Sequence, residues 1–496
     1  MADPFLLAHR AEPLLFDISG RAPISIRDQI LRGHYLIRAL HRTGGVGPGV
    51  RLLIVGAGAA GASAAIEAVK RGVQTVLVEA KPGPFLLQAS CSTRWIDPAQ
   101  YDFVAPHWAG QAWPASGPSG NTPLAFRADW AASIAKAWEN TLTSVALARP
   151  NLLSLRYGWA LAQWPVPQYT SPQRLSHYDV TLGKGPPLQG APFTSAYSVF
   201  SWEQFEVVVL AYGVEADRVV VEDPAPGGST PKYGPTRSVF KGLRFWDNDA
   251  FQQPGLGLGP GALALVSGGG DGALQDFIRL VTGQRSAREV LVALTASLPS
   301  TSSNEIELAL WHQDEQAHRA LLWTVPRDAP TYHAVLSSVH ATHVTLVNAL
   351  FKKHWTRIAG VLDPMRAGRN THIELAYPCE HFGECYSLNR FVVLLLAEYL
   401  RRAAGSDPLA PGHALVRVEH TGTGTCVPGC WGPSHEVVLQ TGVSCSNPSG
   451  AGSAVRRRSF HGIAVRHGVN WQSLQGAPAT SPGFLPHHSL PLQPPW

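Results

Sequence analysis

Arg51–Ala80 reads RLLIVGAGAAGASAAIEAVKRGVQTVLVEA, and this stretch decides the fold. Leu52–Val55 is a short apolar run, as a parallel strand buried on both faces requires. Gly56-Ala57-Gly58-Ala59-Ala60-Gly61 follows at once and matches G-x-G-x-x-G. Ala62–Arg71, rich in small residues, predicts a helix that Gly72 ends, and Gln74–Val78 predicts a second strand with Glu79 at its tip. Each part has a task in holding a dinucleotide. Gly56 makes the tight turn, Gly58 lets backbone N–H groups approach a pyrophosphate, and Gly61 lets helix and strand pack closely. The helix start offers unpaired N–H donors to phosphate. Glu79, about 20 residues past the glycines, is placed to accept from ribose hydroxyls. An acid there repels a 2′-phosphate, so the site suits FAD or NAD rather than NADP. The competing reading, a glycine-rich turn with no ligand, leaves the flanking strands and the acid without a reason.

Upstream, Met1–Val50 is expected to be a helical lead-in, with an amphipathic helix over Ser25–His41 and Ser25 as its N-cap. Downstream, Lys81–Pro114 is an aromatic, irregular loop, and Ala128–Arg149 predicts a helix. Asn151–Tyr157, Trp159–Trp164, Tyr178–Leu182 and Tyr197–Trp202 predict strands of a small antiparallel layer. Phe205–Gly213 is a buried strand stopping at Ala211-Tyr212-Gly213. After a Pro/Gly/Ser connection at Glu222–Arg237, Ala262–Ile278 repeats the opening theme. There an apolar strand leads to Gly268-Gly269-Gly270-Asp271-Gly272-Ala273, which fits G-x-G-x-x-A, and a helix follows. Asp271 is expected to cap that helix or to contact a ribose. Glu289–Thr295 is expected as the second strand of this unit, without a terminal acid.

These elements predict an α/β chain with two Rossmann-like, three-layer dinucleotide-binding domains, a helical insertion and a small antiparallel β layer. The expected organisation is a lead-in at 1–50, an FAD-binding domain at 51–240, and an NAD(P)-binding domain at 250–300 plus 410–445. A helical insertion at 301–409, a segment returning to the first domain at 446–473, and a Pro-rich tail at 474–496 complete it.

At 496 residues the chain is long enough for two or three domains. Its net charge of +5 is small and its basic residues are scattered, so no nucleic-acid footprint is indicated. No unbroken apolar run reaches the length of a membrane span, and the first residues lack the pattern of a signal peptide. A cytoplasmic protein acting on a small molecule, with neither nucleic acid nor membrane as partner, is the expectation. Six cysteines in so long a chain do not make a disulfide scaffold, and buried thiols are the default. Cys379 and Cys385, with Cys426 and Cys430, could alternatively hold a structural zinc, with His381 in place of one of them. His107, His372 and His381 lie in turn-rich contexts without an evident partner.

The order of motifs resembles that of the flavoproteins with two dinucleotide-binding domains, among them the thioredoxin reductase-like enzymes and the flavin-dependent monooxygenases. The order is strand, GxGxxG, helix, strand and Glu, a strand ending Ala-Tyr-Gly, then strand, GGGDGA and helix, and a strand ending Gln-Thr-Gly. The resemblance implies that Gly56, Gly58, Ala59, Ala60, Gly61 and Glu79 hold FAD. It implies that Gly268, Gly270, Asp271 and Ala273 face NAD(P)H. Ala211–Gly213 and Thr441–Gly442 would be the turns where the chain crosses between domains. Electrons would pass from NAD(P)H through the flavin to a small-molecule substrate or to oxygen. The chain lacks the family's late Gly-Asp pair, and it has no C-x-x-C for a dithiol relay. No acid, base or nucleophile can be named. A nicotinamide enzyme without flavin and a non-catalytic nucleotide sensor are the alternatives.

Overall fold

A computed structural model describes residues 3–19, 25–102, 112–113, 124–172, 174–185, 197–213, 220–221, 240–253, 262–312, 330–369, 372–383, 385–420, 435–444 and 454–467. These form two compact units. The first takes the described residues within Met1–Ser92 and Gly110–Glu215, and the second those within Thr93–Ala109 and Ala216–Val469.

The first unit is built on a parallel sheet of β1 (Leu15–Asp17), β2 (Arg51–Val55), β3 (Gln74–Glu79), β4 (Leu153–Tyr157) and β5 (Val207–Leu210), in the order β1-β5-β2-β3-β4. Arg10–Glu12 adds an antiparallel edge beside β1. The strands at the centre are apolar and buried, because both faces of the sheet are covered. Helix α1 (Ile26–Arg42) begins at Ser25, whose side chain accepts from the Asp28 N–H. It packs on α2 (Ala59–Lys70), where the Ser63 hydroxyl donates to the Ile30 carbonyl at 2.6 Å. Residues 1–50 are thus more than a helical lead-in. They supply a sheet strand and a packed helix, a role hidden because Leu15–Asp17 is only three residues long. Helix α3 (Ala131–Ala148) matches its expectation closely. The antiparallel layer pairs Arg174–Lys184 with Trp159–Leu161, Val166–Ser171 and Val199–Phe205.

The second unit repeats this plan. Its parallel sheet has β6 (Leu263–Ser267), β7 (His372–Tyr377), β8 (Leu409–Pro411) and β9 (Gly462–Val465) in the order β8-β7-β6-β9. This corresponds to β4-β3-β2-β5. In both units an antiparallel layer lies in sequence between the third strand and the returning one. Here it is formed by His413–His420, His435–Thr441 and Val455–Phe460.

The structure corrects three expectations. Glu289–Thr295 is helical, within α5 (Ala287–Ser297), which follows α4 (Asp271–Thr282). Its buried residues Ala287, Val290, Leu291 and Leu294 recur at helical spacing and enter the core. The partner of β6 is instead β7, reached after α6 (Ser300–His312) and α7 (Pro330–Arg366). The helical segment expected at 301–409 therefore starts earlier. It gives way to a central strand at 372–377 and to α8 (Ser387–Ala404), a core helix of this unit. Finally, Val455–Phe460 and β9 belong to the second unit rather than returning to the first. The tail at 474–496 and the connection at Glu222–Arg237 lie outside the described residues.

Within α7, Thr331–Arg366 is long and apolar enough to cross a membrane by length and composition, and a third of its most apolar 18-residue window is buried. Tyr332, Leu336, Val339, His343, Val347 and Leu350 form one buried stripe, while Ser337, Ser338, Thr342 and Asn348 are exposed.

A buried charge network anchors Arg94 in the second unit. Arg94 donates to Asp276 at 2.6 Å, Arg466 donates to the same carboxylate at 2.6 Å, and Arg279 pairs with Asp249 at 2.7 Å. Burial alone would raise the Asp276 pKa, but the Arg466, Arg94 and Arg279 guanidiniums outweigh it and hold the group at about 2.

Candidate functional site

The first glycine turn lies at the carboxyl end of β2, next to the end of β5. Gly56 has φ +109°, in the region open to glycine, and a Cβ there would lie 2.2 Å from the Ala211 carbonyl oxygen. A Cβ on Gly61 would lie 1.9 Å from the Gly56 oxygen. Both positions are filled by the fold itself. Gly58 differs, because a Cβ there meets nothing within 4 Å. It is the N-cap of α2, with extended backbone, and no side chain caps the helix. The first-turn N–H groups of Ala59, Ala60 and Gly61 therefore have no intrahelical or capping partner, as at any helix start. Open space above Gly58 and uncapped donors beside it make a cradle for an anion. Residues 56–61 and the Glu79 tip thus fit the diphosphate and ribose of a dinucleotide.

Glu79 closes the cradle. Its carboxylate accepts from Ala57 N–H at 2.7 Å and from Lys81 N–H at 2.9 Å, which fixes it beside the turn. Ala211 is buried, and its N–H donates to Val55 O at 2.8 Å. Gly213 has φ +87° and open space around it. Tyr212 N–H donates to the Ser19 hydroxyl at 2.9 Å. Ser19, just past β1, is a neighbour of the site that the sequence reading missed. Its only signal was the short apolar run Leu14–Phe16 ahead of it.

The second turn is built by the same rules. Gly268 has φ +140°, and a Cβ there would lie 2.2 Å from the Arg466 carbonyl oxygen. Gly56 and Gly268 N–H groups donate to Val78 O and Ala376 O, each at 2.8 Å. Ala211 and Arg466 N–H groups donate to Val55 O and Ser267 O, again each at 2.8 Å. Arg466 thus stands where Ala211 stands in the first unit. This corrects the turn expected at Thr441–Gly442. That turn follows the middle strand of an antiparallel layer, His435–Thr441, and stays within the second unit.

The two turns differ in what faces them. By register Tyr377 takes the place of Glu79, at the tip of β7, and it is buried. A Cβ on Gly269 would meet the Tyr377 Cβ at 3.3 Å and Gly383 N at 3.4 Å, and one on Gly272 would meet the Phe245 ring at 3.3 Å. Gly270 is the N-cap of α4, again without a side-chain cap, and Ala273 is fully buried. Asp271 does not cap its own helix. It accepts from Tyr386 N–H at 2.9 Å and Asn389 Nδ2 at 2.7 Å, and so caps the start of α8.

The zinc expectation is corrected. Cys379 is disulfide-bonded and Cys385 is buried, while Cys426 and Cys430 lie outside the described residues. Among the described residues no group of three or more His, Cys, Asp or Glu could hold a metal ion. His372 is exposed and His381 is buried, whereas His107 lies outside the described residues.

No curated protein matches the chain. Solved structures similar to it include thioredoxin reductase of Lactococcus lactis, at 9% identity and TM-score 0.34, over 85% of this chain and 78% of that one. Bacillithiol disulfide reductase of Staphylococcus aureus is similar at 9% identity and TM-score 0.37, over 86% and 79%. Ornithine hydroxylase of Pseudomonas aeruginosa is similar at 12% identity and TM-score 0.33, over 86% and 84%. Residues 51–100, the stretch that the three glycines and Glu79 organise, match the family model of the FAD binding domain.

Proposed function

We propose that the chain is an FAD-dependent oxidoreductase. In this reading it takes reducing equivalents from NAD(P)H and passes them to a small-molecule substrate or to oxygen, monooxygenation included. The observation that carries the proposal is the division of labour among three glycines. Gly56 and Gly61 are packed against the fold, while Gly58 alone opens onto free space at an uncapped helix start. That division is what a diphosphate demands. The match of residues 51–100 to the FAD binding domain supports the choice of cofactor.

Ala59, Ala60 and Gly61 would offer their N–H groups to the diphosphate, and Glu79 would accept from the ribose. Ala211 and Gly213 border the same end of the sheet. FAD, when bound, supplies a ring system that accepts and releases electron pairs. The protein orients it and limits the access of water. In the second unit Gly268, Gly270 and Ala273 shape the corresponding turn for NAD(P)H, and Asp271 positions α8.

Absorbance of the purified protein tests the first half of the proposal, and a colourless preparation that takes up no added FAD would refute it. Anaerobic addition of NADH and of NADPH tests the second half. Bleaching of the flavin by either is expected. A yellow protein that neither one bleaches would refute the nicotinamide donor while leaving the flavin in place.

A further inference from the structure

Arg390, on the first turn of α8, is fully buried and makes no ion pair among the described residues. Its guanidinium donates to Gly383 O at 2.8 Å and Phe382 O at 3.4 Å, and its Nε is buried without a partner. Two carbonyls solvate the group but leave its charge uncompensated, and a buried cation in that condition is costly.

The residues around it share the deficit. The His340 ring lies 5.1 Å from the Phe382 ring, and the Arg390 guanidinium lies 5.9 Å from that same ring. His333 and His381 rings are 6.2 Å apart. His343 is one helical turn beyond His340 on α7 and is almost wholly buried. His333 Nδ1, His340 Nδ1, His343 Nε2 and Asn389 Oδ1 are all buried without a hydrogen-bond partner. Burial, and then the Arg390 charge, push His340 and His343 down to about 3. At neutral pH both are therefore uncharged imidazoles. Each such ring carries one N–H donor and one acceptor nitrogen. His343 gives its N–H, on Nδ1, to Val339 O at 2.8 Å, so its Nε2 is an acceptor, whereas His340 Nδ1 has no partner.

A buried cation without a counter-ion, beside neutral imidazoles with unpartnered ring nitrogens, calls for an oxyanion. Arg390 opposes a metal ion in the same place. Two unpaired acceptors, Asn389 Oδ1 and His343 Nε2, suit the O–H groups of a protonated phosphate. We propose that His333, His340, His343, Asn389 and Arg390 form a binding site for a phosphate group, carried as free phosphate or as a phosphate ester. The site is independent of the flavin assignment. It lies beside the second glycine turn, since Gly383, which Arg390 holds, donates its N–H to Gly269 O at 2.9 Å.

Calorimetric titration of the full chain with inorganic phosphate, in phosphate-free buffer, tests the site. Wild type should bind, Arg390→Met should bind about tenfold or more weakly, and His340→Gln should lose several-fold. His340 is only partly buried, so that variant keeps the test available if Arg390→Met fails to fold. Competition then distinguishes the sources of the phosphate. Displacement of phosphate by NADPH but not NADH marks a nucleotide phosphate, whereas displacement by neither marks free phosphate. No binding to wild type, or unchanged affinity in the folded variants, would overturn the proposal.

Discussion

Replacing Gly58 by valine separates cofactor binding from folding. Gly58 has φ −76° and ψ −175°, an extended conformation that valine adopts readily, and a Cβ there touches nothing within 4 Å. The folded protein loses only a favourable N-cap residue, a cost of about 1 kcal/mol or less. The branched side chain nevertheless occupies the space a diphosphate needs and shields the donors of α2. Losing two charge-assisted hydrogen bonds at about 1.5 kcal/mol each amounts to about 3 kcal/mol, or roughly 100-fold in affinity. Gly61→Ala is the counterpart. Its Cβ would sit 1.9 Å from Gly56 O and 3.3 Å from the Ala211 Cβ, so the overpacking should cost about 1–3 kcal/mol or more in stability. The assays are the flavin-to-protein ratio after purification and urea denaturation of the flavin-stripped proteins. Gly58→Val should be nearly as stable as wild type and almost colourless, and Gly61→Ala should be clearly less stable. A Gly58→Val protein that keeps its flavin, or that unfolds as easily as Gly61→Ala, would refute the reasoning.

Three further outcomes are expected. Glu79→Gln removes a charged acceptor from the ribose position, and equilibrium titration should find FAD binding about tenfold weaker. Asp276→Asn takes one of two carboxylates from three buried arginines and should cost about 3–5 kcal/mol, read from the urea midpoint. The Asp276 pKa is lower folded than unfolded, so its stabilisation is full above about pH 4 and lost as pH falls toward about 2. The variant should lack that portion of the acid transition. His343 also has a depressed pKa, about 3 folded against 6.5 for the free side chain. Below pH 6.5 the unfolded chain therefore binds a proton that the folded one refuses, and stability falls with pH. The loss at pH 5 is about 2 kcal/mol. In phosphate-free buffer His343→Gln should flatten the urea midpoint between pH 7 and 5, and an unchanged profile would contradict the assignment.

Much of the first site was legible because its requirements are local. A strand, three spaced glycines, a helix and an acid lie within 30 residues, and each residue answers to a neighbour a few positions away. Which helix Asp271 caps was not legible, for the opposite reason. Its partners, Tyr386 and Asn389, are more than a hundred residues distant in sequence, and no feature near Asp271 announces them. Arg390 and the histidines of α7 were passed over because each alone looks like an ordinary polar residue on a helix. Their meaning lies in being buried together without a counter-ion.

By itself, then, the sequence determined two glycine turns, the helices that start from them, and the acid at the first strand's tip. Steric exclusion at a glycine and the donors of a helix start act over a few ångströms of contiguous chain. Only the tertiary structure decided which strand pairs with Leu263–Ser267. The short apolar run within Glu289–Thr295 satisfies a buried strand and a buried helix equally well, and the place beside Leu263–Ser267 was taken instead by His372–Tyr377. Strand pairing is a contact between segments that any length of chain can separate. That choice set Tyr377 opposite the second turn where Glu79 serves the first, and so made two similar motifs into unlike sites.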